Sequence, residues 1–245
     1  MTSTSQGPST SGDAVTSHHF TTALLNDPAL NALVELLLDM QPGDRLASER
    51  ELTQTLGLSR NTLRDRMGKL ESMGVLERKE RLGTYYTGLQ PEQTGDVLML
   101  GLMFQQMTVE SLISVRHALE RQAAVEACSN ADEPALEALA DCVSMMHETQ
   151  SGRELLAADD AFHRALFAAS DSAGLMFFSQ MLHPVLHGTL QHLTLEQDFE
   201  TMRTVHDDIV SALKARDTLA TSIAVDAHFA WLDVLRERER ELQAR

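Results

Sequence analysis

Between Pro42 and Tyr86 the chain alternates short apolar stripes with sharp polar punctuation. Leu63, Met67 and Leu70 recur at i, i+4 and i+7, one face of a helix running from Arg60 to about Met73. Ser59 stands before it as an N-cap and Gly74 ends it. Upstream, Ser48-Glu49-Arg50-Glu51 has the spacing of a capping box, which opens a helix from Glu49 to about Leu56 and stops at Gly57. Val75-Leu76-Glu77-Arg78 and Gly83-Thr84-Tyr85-Tyr86 read as a two-stranded wing. An earlier stripe, Leu33, Leu36, Leu37 and Met40, predicts a first helix from Phe20 to about Asp39, which Asp27-Pro28 either interrupts or starts. Beyond Gln90-Pro91-Glu92 the helical period persists to the C-terminus. It breaks near 107–108, 129–132, 150–152, 170–174, 195–198 and 216–218, which predicts six or seven helices and no strand.

The expected fold is therefore mainly α: a winged helix-turn-helix with a small β wing, then an all-α bundle of six or seven helices. The expected divisions are a disordered Ser/Thr/Gly-rich tail over 1–17, a winged domain over 18–88, a linker over 89–94 and a helical domain over 95–245. A short helix, a tight turn and a second helix with an Arg-bearing N-terminus is the arrangement that sets side chains against base edges in the major groove of duplex DNA.

Charge sharpens this reading. The chain has 20 basic and 36 acidic residues, yet 60–81 runs the other way, with seven basic residues against four acidic. Such a local basic surface attracts phosphates on an otherwise acidic protein. Residues 91–245 carry 11 basic and 25 acidic residues, so they do not form a second nucleic-acid surface. No run of about 20 apolar residues spans a membrane. The N-terminus lacks the basic and apolar regions of a secretory signal, so a cytoplasmic location is expected. Cys128 and Cys142, without CxxC spacing, are expected as buried thiols.

Four polar residues fall where a core should be. Asp159 and His163, one turn apart, lie on or beside the apolar stripe Leu155, Leu156, Phe162, Leu166 and Phe167. His206 precedes Ile209, Val210 and Leu213 on their face of the next such helix, and His228 sits among Ala224, Val225, Trp231, Leu232 and Leu235 in the last. Burying these groups unpaired is costly. Hydrogen-bonded core histidines are one solution. A shared ion is the other, since three imidazoles and a carboxylate suit Zn first, and also Ni, Mn or Fe. His183 and His187, at i and i+4 around Pro184, and His192 read as a pocket wall or polar face rather than a second metal site; His117 and His147 carry no signal.

At this point the Pro42–Tyr86 stretch resembles the DNA-binding domain of the GntR superfamily of bacterial transcription regulators, whose pattern is close to PGxxLPSERELAxxLGVSRxxVREALxxLxxxGLV. The remainder resembles the FCD-type ligand-binding domain of the FadR branch, through Asp159 with Phe162-His163, His206 before an apolar helix and His228 in the last helix. The resemblance implies a homodimeric repressor on a pseudo-palindromic operator. It implies DNA contacts by Arg50, Arg60, Asn61, Thr62 and Arg64, to which the polar face of the same helix adds Ser59 and Lys69. It also implies a divalent transition metal on Asp159, His163, His206 and His228, and a small carboxylate effector facing Arg116 in Val115-Arg116-His117-Ala118-Leu119-Glu120. A surface ion pair is the other reading of Arg116.

The chain departs from the pattern in three places. Ala47 replaces a Pro, Arg64-Asp65-Arg66-Met67 replaces Arg-Glu-Ala-Leu, and the wing Glu80-Arg81-Leu82-Gly83 lacks its first Gly. Two rival functions remain open. In one the metal itself is the signal. In the other the helical domain is a metal enzyme with a DNA-binding appendage, although Asp160 and Asp207 point about 100° from their ligand neighbours and no HExxH pattern is present.

Overall fold

The computed structural model describes residues 26–190 and 198–243, which fall into two units that divide between Leu89 and Gln90. The segment read as a tail, His18, His19, the expected helix start at Phe20, and His192 lie outside the described residues.

In the first unit α1 (Pro28–Leu38) begins at Asp27-Pro28, so this dipeptide starts the helix. The Asp27 carboxylate accepts the Leu30 N–H at 3.2 Å, and Pro28 brings a φ already suited to the first helical position. In α2 (Glu49–Leu56) both arms of the capping box form. The Glu51 N–H donates to Ser48 Oγ at 3.3 Å, and the Ser48 N–H donates to Glu51 Oε2 at 2.9 Å. Gly57 turns the chain at φ +65°, a left-handed conformation in which a Cβ is strained. Ser59 Oγ then caps α3 (Arg60–Ser72) by accepting the Thr62 N–H at 3.1 Å.

Strands β1 (Leu76–Lys79) and β2 (Gly83–Tyr86) pair antiparallel, with Leu76 opposite Tyr86 and Lys79 opposite Gly83. On its other edge β2 binds the segment before α2: the Leu46 N–H donates to Thr84 O and the Tyr86 N–H to Asp44 O, both at 2.9 Å. Leu30, Leu33, Leu37, Leu52, Leu63, Met67, Leu70 and Leu76 close one apolar core beneath the three helices and the wing. At about 1.5–3 kcal/mol for each fully buried aliphatic side chain, this core is what fixes the outward direction of the polar face of α3.

The second unit is seven helices: α4 (Pro91–Met103), α5 (Val109–Asn130), α6 (Glu133–Glu148), α7 (Gly152–Ala169), α8 (Ala173–Leu190), α9 (Phe199–Lys214) and α10 (Thr218–Gln243). The expected linker over 89–94 is shorter than its composition suggested, because Pro91 is a first helical residue of α4 rather than a spacer. Helix α5 is the hub and packs on α7, α8, α9 and α10. Ala123, Ala124 and Ala127, all fully buried, allow that close approach.

Two arginines cap helix ends across the bundle. The Arg203 guanidinium donates to Met146 O and Thr149 O at the end of α6, at 2.8 and 2.7 Å. Arg216 donates to Ala127 O, Cys128 O and Ala131 O at the end of α5. Each satisfies carbonyls that the helix cannot and sets a cation at the negative end of its dipole. Cys128 is buried as expected; Cys142 is only half-buried, because it stands at the edge of the inward face of α6 rather than among Leu139, Val143 and Met146. Among the described residues no helix is long and apolar enough to cross a membrane.

Candidate functional site

Two surfaces carry chemistry, one in each unit. On α3, Leu63, Met67 and Leu70 face the core, which leaves Arg60, Asn61, Arg64 and Lys69 exposed and Thr62 half-buried. Arg50 is exposed on α2. The Ser59 and Thr62 hydroxyls lie 2.8 Å apart and hydrogen-bond each other, so they order the start of the helix. The Arg64 Nε–H donates to Glu49 Oε2 at 2.7 Å, which ties α3 to α2 and aims the rest of that guanidinium. Among the described residues no carboxylate pairs with Arg60. At the wing turn Arg81, where the expected first Gly is missing, adopts φ +62° and is exposed.

In the second unit the four polar residues singled out in the sequence come together. Asp159 and His163 from α7, His206 from α9 and His228 from α10 each bring one donor atom into a group whose members all lie within 4.8 Å of one another. His206 is fully buried; His163 and His228 are 6% and 3% exposed. The His206 ring has a fixed tautomer: its Nδ1–H donates to Met202 O, one turn back on α9, at 2.6 Å. Nε2 is then the nitrogen left to face the cluster, and it lies 3.1 Å from Asp159 Oδ1. His163 Nε2 lies 3.3 Å from the same oxygen. Both nitrogens of His163, His206 Nε2 and His228 Nδ1 are buried without a hydrogen-bond partner, for their contacts to nearby carboxylates are close but poorly aligned. One such nitrogen from each of three imidazoles, with one carboxylate, is a donor set that suits a divalent transition metal.

Behind this cluster stands a residue that sequence reasoning passed over. Glu120 of α5 is 1% exposed. Its Oε1 accepts the Arg116 Nε–H at 2.5 Å, and its Oε2 lies 3.0 Å from His163 Nδ1. The pattern placed Glu120 next to Arg116 but gave no sign that it was buried. Burial raises the Glu120 carboxyl, but Arg116 and His163 outweigh it and hold the group well below its ordinary value. Asp159 is likewise held low against its burial, by His163 and His206. Burial disfavours a charge on His163, yet Glu120 and Asp159 prevail over it and over Arg116, and raise the imidazole to about 9. Burial, helped by His206 and His163, pushes His228 well below 6.5.

Arg116, expected either at an effector or in a surface pair, is in a buried pair: its side chain is 15% exposed and that of Glu120 2%. Both line a cavity among α5, α7 and α8, together with Asp159, Asp160, His163, Arg164 and His183, against apolar walls such as Leu156 and Leu182. His183 Nδ1 lies 3.0 Å from Asp160 Oδ1, which makes it a wall residue of this cavity. The side chain of His187 lies outside the described residues. His117 and His147 pair with Asp226 and Asp207, each at 2.8 Å, away from the cluster.

Residues 29–85 match the family described as bacterial regulatory proteins, gntR family, and residues 111–230 match the FCD domain. The chain is 27% identical over 197 residues to the HTH-type transcriptional regulator LutR of Bacillus subtilis (strain 168), which covers 78% of this chain and 90% of that protein. It is 28% identical over 226 residues, 86% of each chain, to an Escherichia coli (strain K12) protein named for regulation of the L-lactate dehydrogenase operon. The solved structure of Streptococcus agalactiae GntR has the same fold, with a TM-score of 0.68 at 21% identity over 85% of this chain and 98% of that one.

Proposed function

This chain belongs to the GntR family of bacterial transcription regulators, with an FCD domain as its second unit, and on that premise we propose how it senses and responds. As a member it is a DNA-binding regulator and not an enzyme. Our reading is a cytoplasmic homodimeric repressor. Ser59, Arg60, Asn61, Thr62, Arg64 and Lys69 of α3, with Arg50 of α2, meet the two half-sites of a pseudo-palindromic operator. Asp159, His163, His206 and His228 would hold one divalent metal ion, Zn first and Ni, Mn or Fe otherwise. When bound, that ion supplies a Lewis-acid centre for a carboxylate oxygen of a small organic acid. The guanidinium of Arg116, on the cavity wall, takes the other side of the acid.

The observation that carries this reading is the buried group of three imidazoles, each with an unpartnered nitrogen, and one carboxylate beside a cavity. An acid that binds one arrangement of the dimer better shifts operator affinity by linkage, and a 5–150-fold change corresponds to ~1–3 kcal/mol. One observation favours a second reading: Arg116 is already paired with Glu120, so the ion alone could be the signal.

Elemental mass spectrometry on untagged protein separates these readings when joined to operator titration. About one metal per chain, absent from a His206→Ala/His228→Ala variant, supports the site. No metal in folded, DNA-binding protein overturns it. Operator affinity that responds to L-lactate at constant zinc supports the acid as effector; affinity that follows zinc and ignores carboxylates supports the second reading.

A further inference from the structure

We propose that Glu120 is the positioning residue of the buried site: one carboxylate that fixes the tautomer of His163 with one oxygen and holds Arg116 with the other. This rests on the metal reading above and extends it to a residue outside the four donors. The side chain of Glu120 is 2% exposed, so its charge has been taken out of water and must be answered inside the protein. Two groups answer it from opposite sides. Arg116 Nε, one turn back on α5, is 2.5 Å from Oε1; His163 Nδ1, from α7, is 3.0 Å from Oε2.

The two nitrogens of His163 therefore have different neighbours. Nδ1 faces Glu120, and Nε2 faces Asp159 and belongs to the donor group. Both nitrogens thus face a carboxylate, and an ion bound at Nε2 by the donor group would leave the ring proton on Nδ1, where Glu120 is placed to accept it. His206 reaches the same end by another route, since a backbone carbonyl, Met202 O, takes its Nδ1–H. A charged partner does more than a carbonyl, because it also raises the basicity of the ring.

The second oxygen has a consequence for the cavity. Arg116 is held through Nε, on the side of its guanidinium that faces Glu120, and the residue lines the cavity. Glu120 thus joins the cation available to an acid in the cavity and the histidine of the donor group through a single side chain. Any displacement of Arg116 by a ligand is felt at His163 through two consecutive contacts, with no change of fold required.

The test measures zinc affinity by chelator competition in the full-length wild type, in Glu120→Gln and in an Arg116→Met/Glu120→Gln double variant. The double variant removes both charges together and leaves no unpaired arginine to unfold the unit. Glu120→Gln is expected to weaken zinc by about 10–100-fold, the range for an outer-shell partner of a metal-bound histidine. The double variant is expected to be weakened comparably. Long-range 1H–15N spectra of the zinc-loaded wild type add a readout that a purely structural role would not move, and they need no variant to fold. A proton on Nδ1 of His163, with Nε2 on zinc, is expected.

Zinc bound as tightly by a folded Glu120→Gln variant as by the wild type overturns the assignment, as does a His163 ring that binds zinc through Nδ1. A wild type that binds no zinc removes the metal reading and this inference with it. That outcome is distinct from a wild type that binds zinc and a variant that binds it equally well.

Discussion

The two units use charge in opposite ways. On α3 and the wing, cations stand in water: Arg64 is 63% exposed and Arg78 52%. Several pair with a partly exposed carboxylate, as Arg64 does with Glu49 and Arg78 with Glu71, contacts that water screens and that a phosphate or a base can replace. Around Asp159 the charges are buried, and every group is braced by another: Arg116 by Glu120, Glu120 by His163, His163 and His206 by Asp159. Exposed ion pairs contribute little, about 0–1 kcal/mol, and breaking one is tolerated. Removing one partner from a buried group leaves its neighbour unsatisfied at several kcal/mol. The first surface is therefore suited to reading a partner, and the second to holding a small, defined ligand set.

The contrast can be broken most directly at His206. Its replacement by Ala is expected to weaken zinc by more than about 100-fold, beyond the effect of an outer-shell partner, while operator binding by metal-free protein changes little. Chelator competition beside an electrophoretic shift assay checks both halves. Retained zinc affinity would mean that His206 is only a hydrogen-bonded core histidine.

The next effect is pH dependence confined to the interior. His163 titrates at about 9 in the folded protein against an ordinary 6.5. The stability it contributes is fully present below pH 6.5 and is lost as pH rises through 9. The metal-free protein should therefore lose a few kcal/mol over that window. The zinc-loaded protein, whose histidines must be neutral, should not. Thermal melts at pH 6, 7.5 and 9 with and without zinc test this; parallel curves would contradict the charge assignment.

Arg60→Ala should cost about 1–3 kcal/mol of operator affinity if the side chain reads a base. Zinc content and thermal stability should be unchanged, because Arg60 is exposed. Equal affinity in the variant would remove α3 as the reading helix. The smallest effect is expected at Ser48, where Ala removes one arm of the capping box and costs about 1 kcal/mol. Urea unfolding measures it, and the loss should appear in the first unit alone.

Much of this organisation was legible in the chain. The i, i+4, i+7 stripe of Leu63, Met67 and Leu70 predicted the buried face of α3, and the breaks near 129–132, 150–152 and 216–218 coincide with helix ends. Asp159, His163, His206 and His228 stood out because each broke an apolar stripe. Glu120 did not, because it lies between Leu119 and Arg121, where a carboxylate ordinarily faces water. Its burial is made tolerable by Arg116, one turn away, together with a long-range meeting with His163 that the local pattern does not report. Arg203 and Arg216 were hidden for the same reason, since their carbonyl partners lie 54 to 89 residues away. A periodic pattern reports which face a side chain takes on its own helix. It does not report which polar group waits on the next one.

The shared oxygen of Asp159 has a last consequence. With Oδ1 within 3.3 Å of both His163 Nε2 and His206 Nε2, one carboxylate oxygen gathers two of the donor nitrogens. The apolar core around them runs from Leu112 to Leu235 and is built from every helix of the unit from α5 to α10. An ion entering such a site need not organise the chain, unlike the metal of a zinc finger, whose loss unfolds the domain. Chelation should then empty the receptor and leave it standing, so that occupancy, rather than folding, is the variable a cell can adjust.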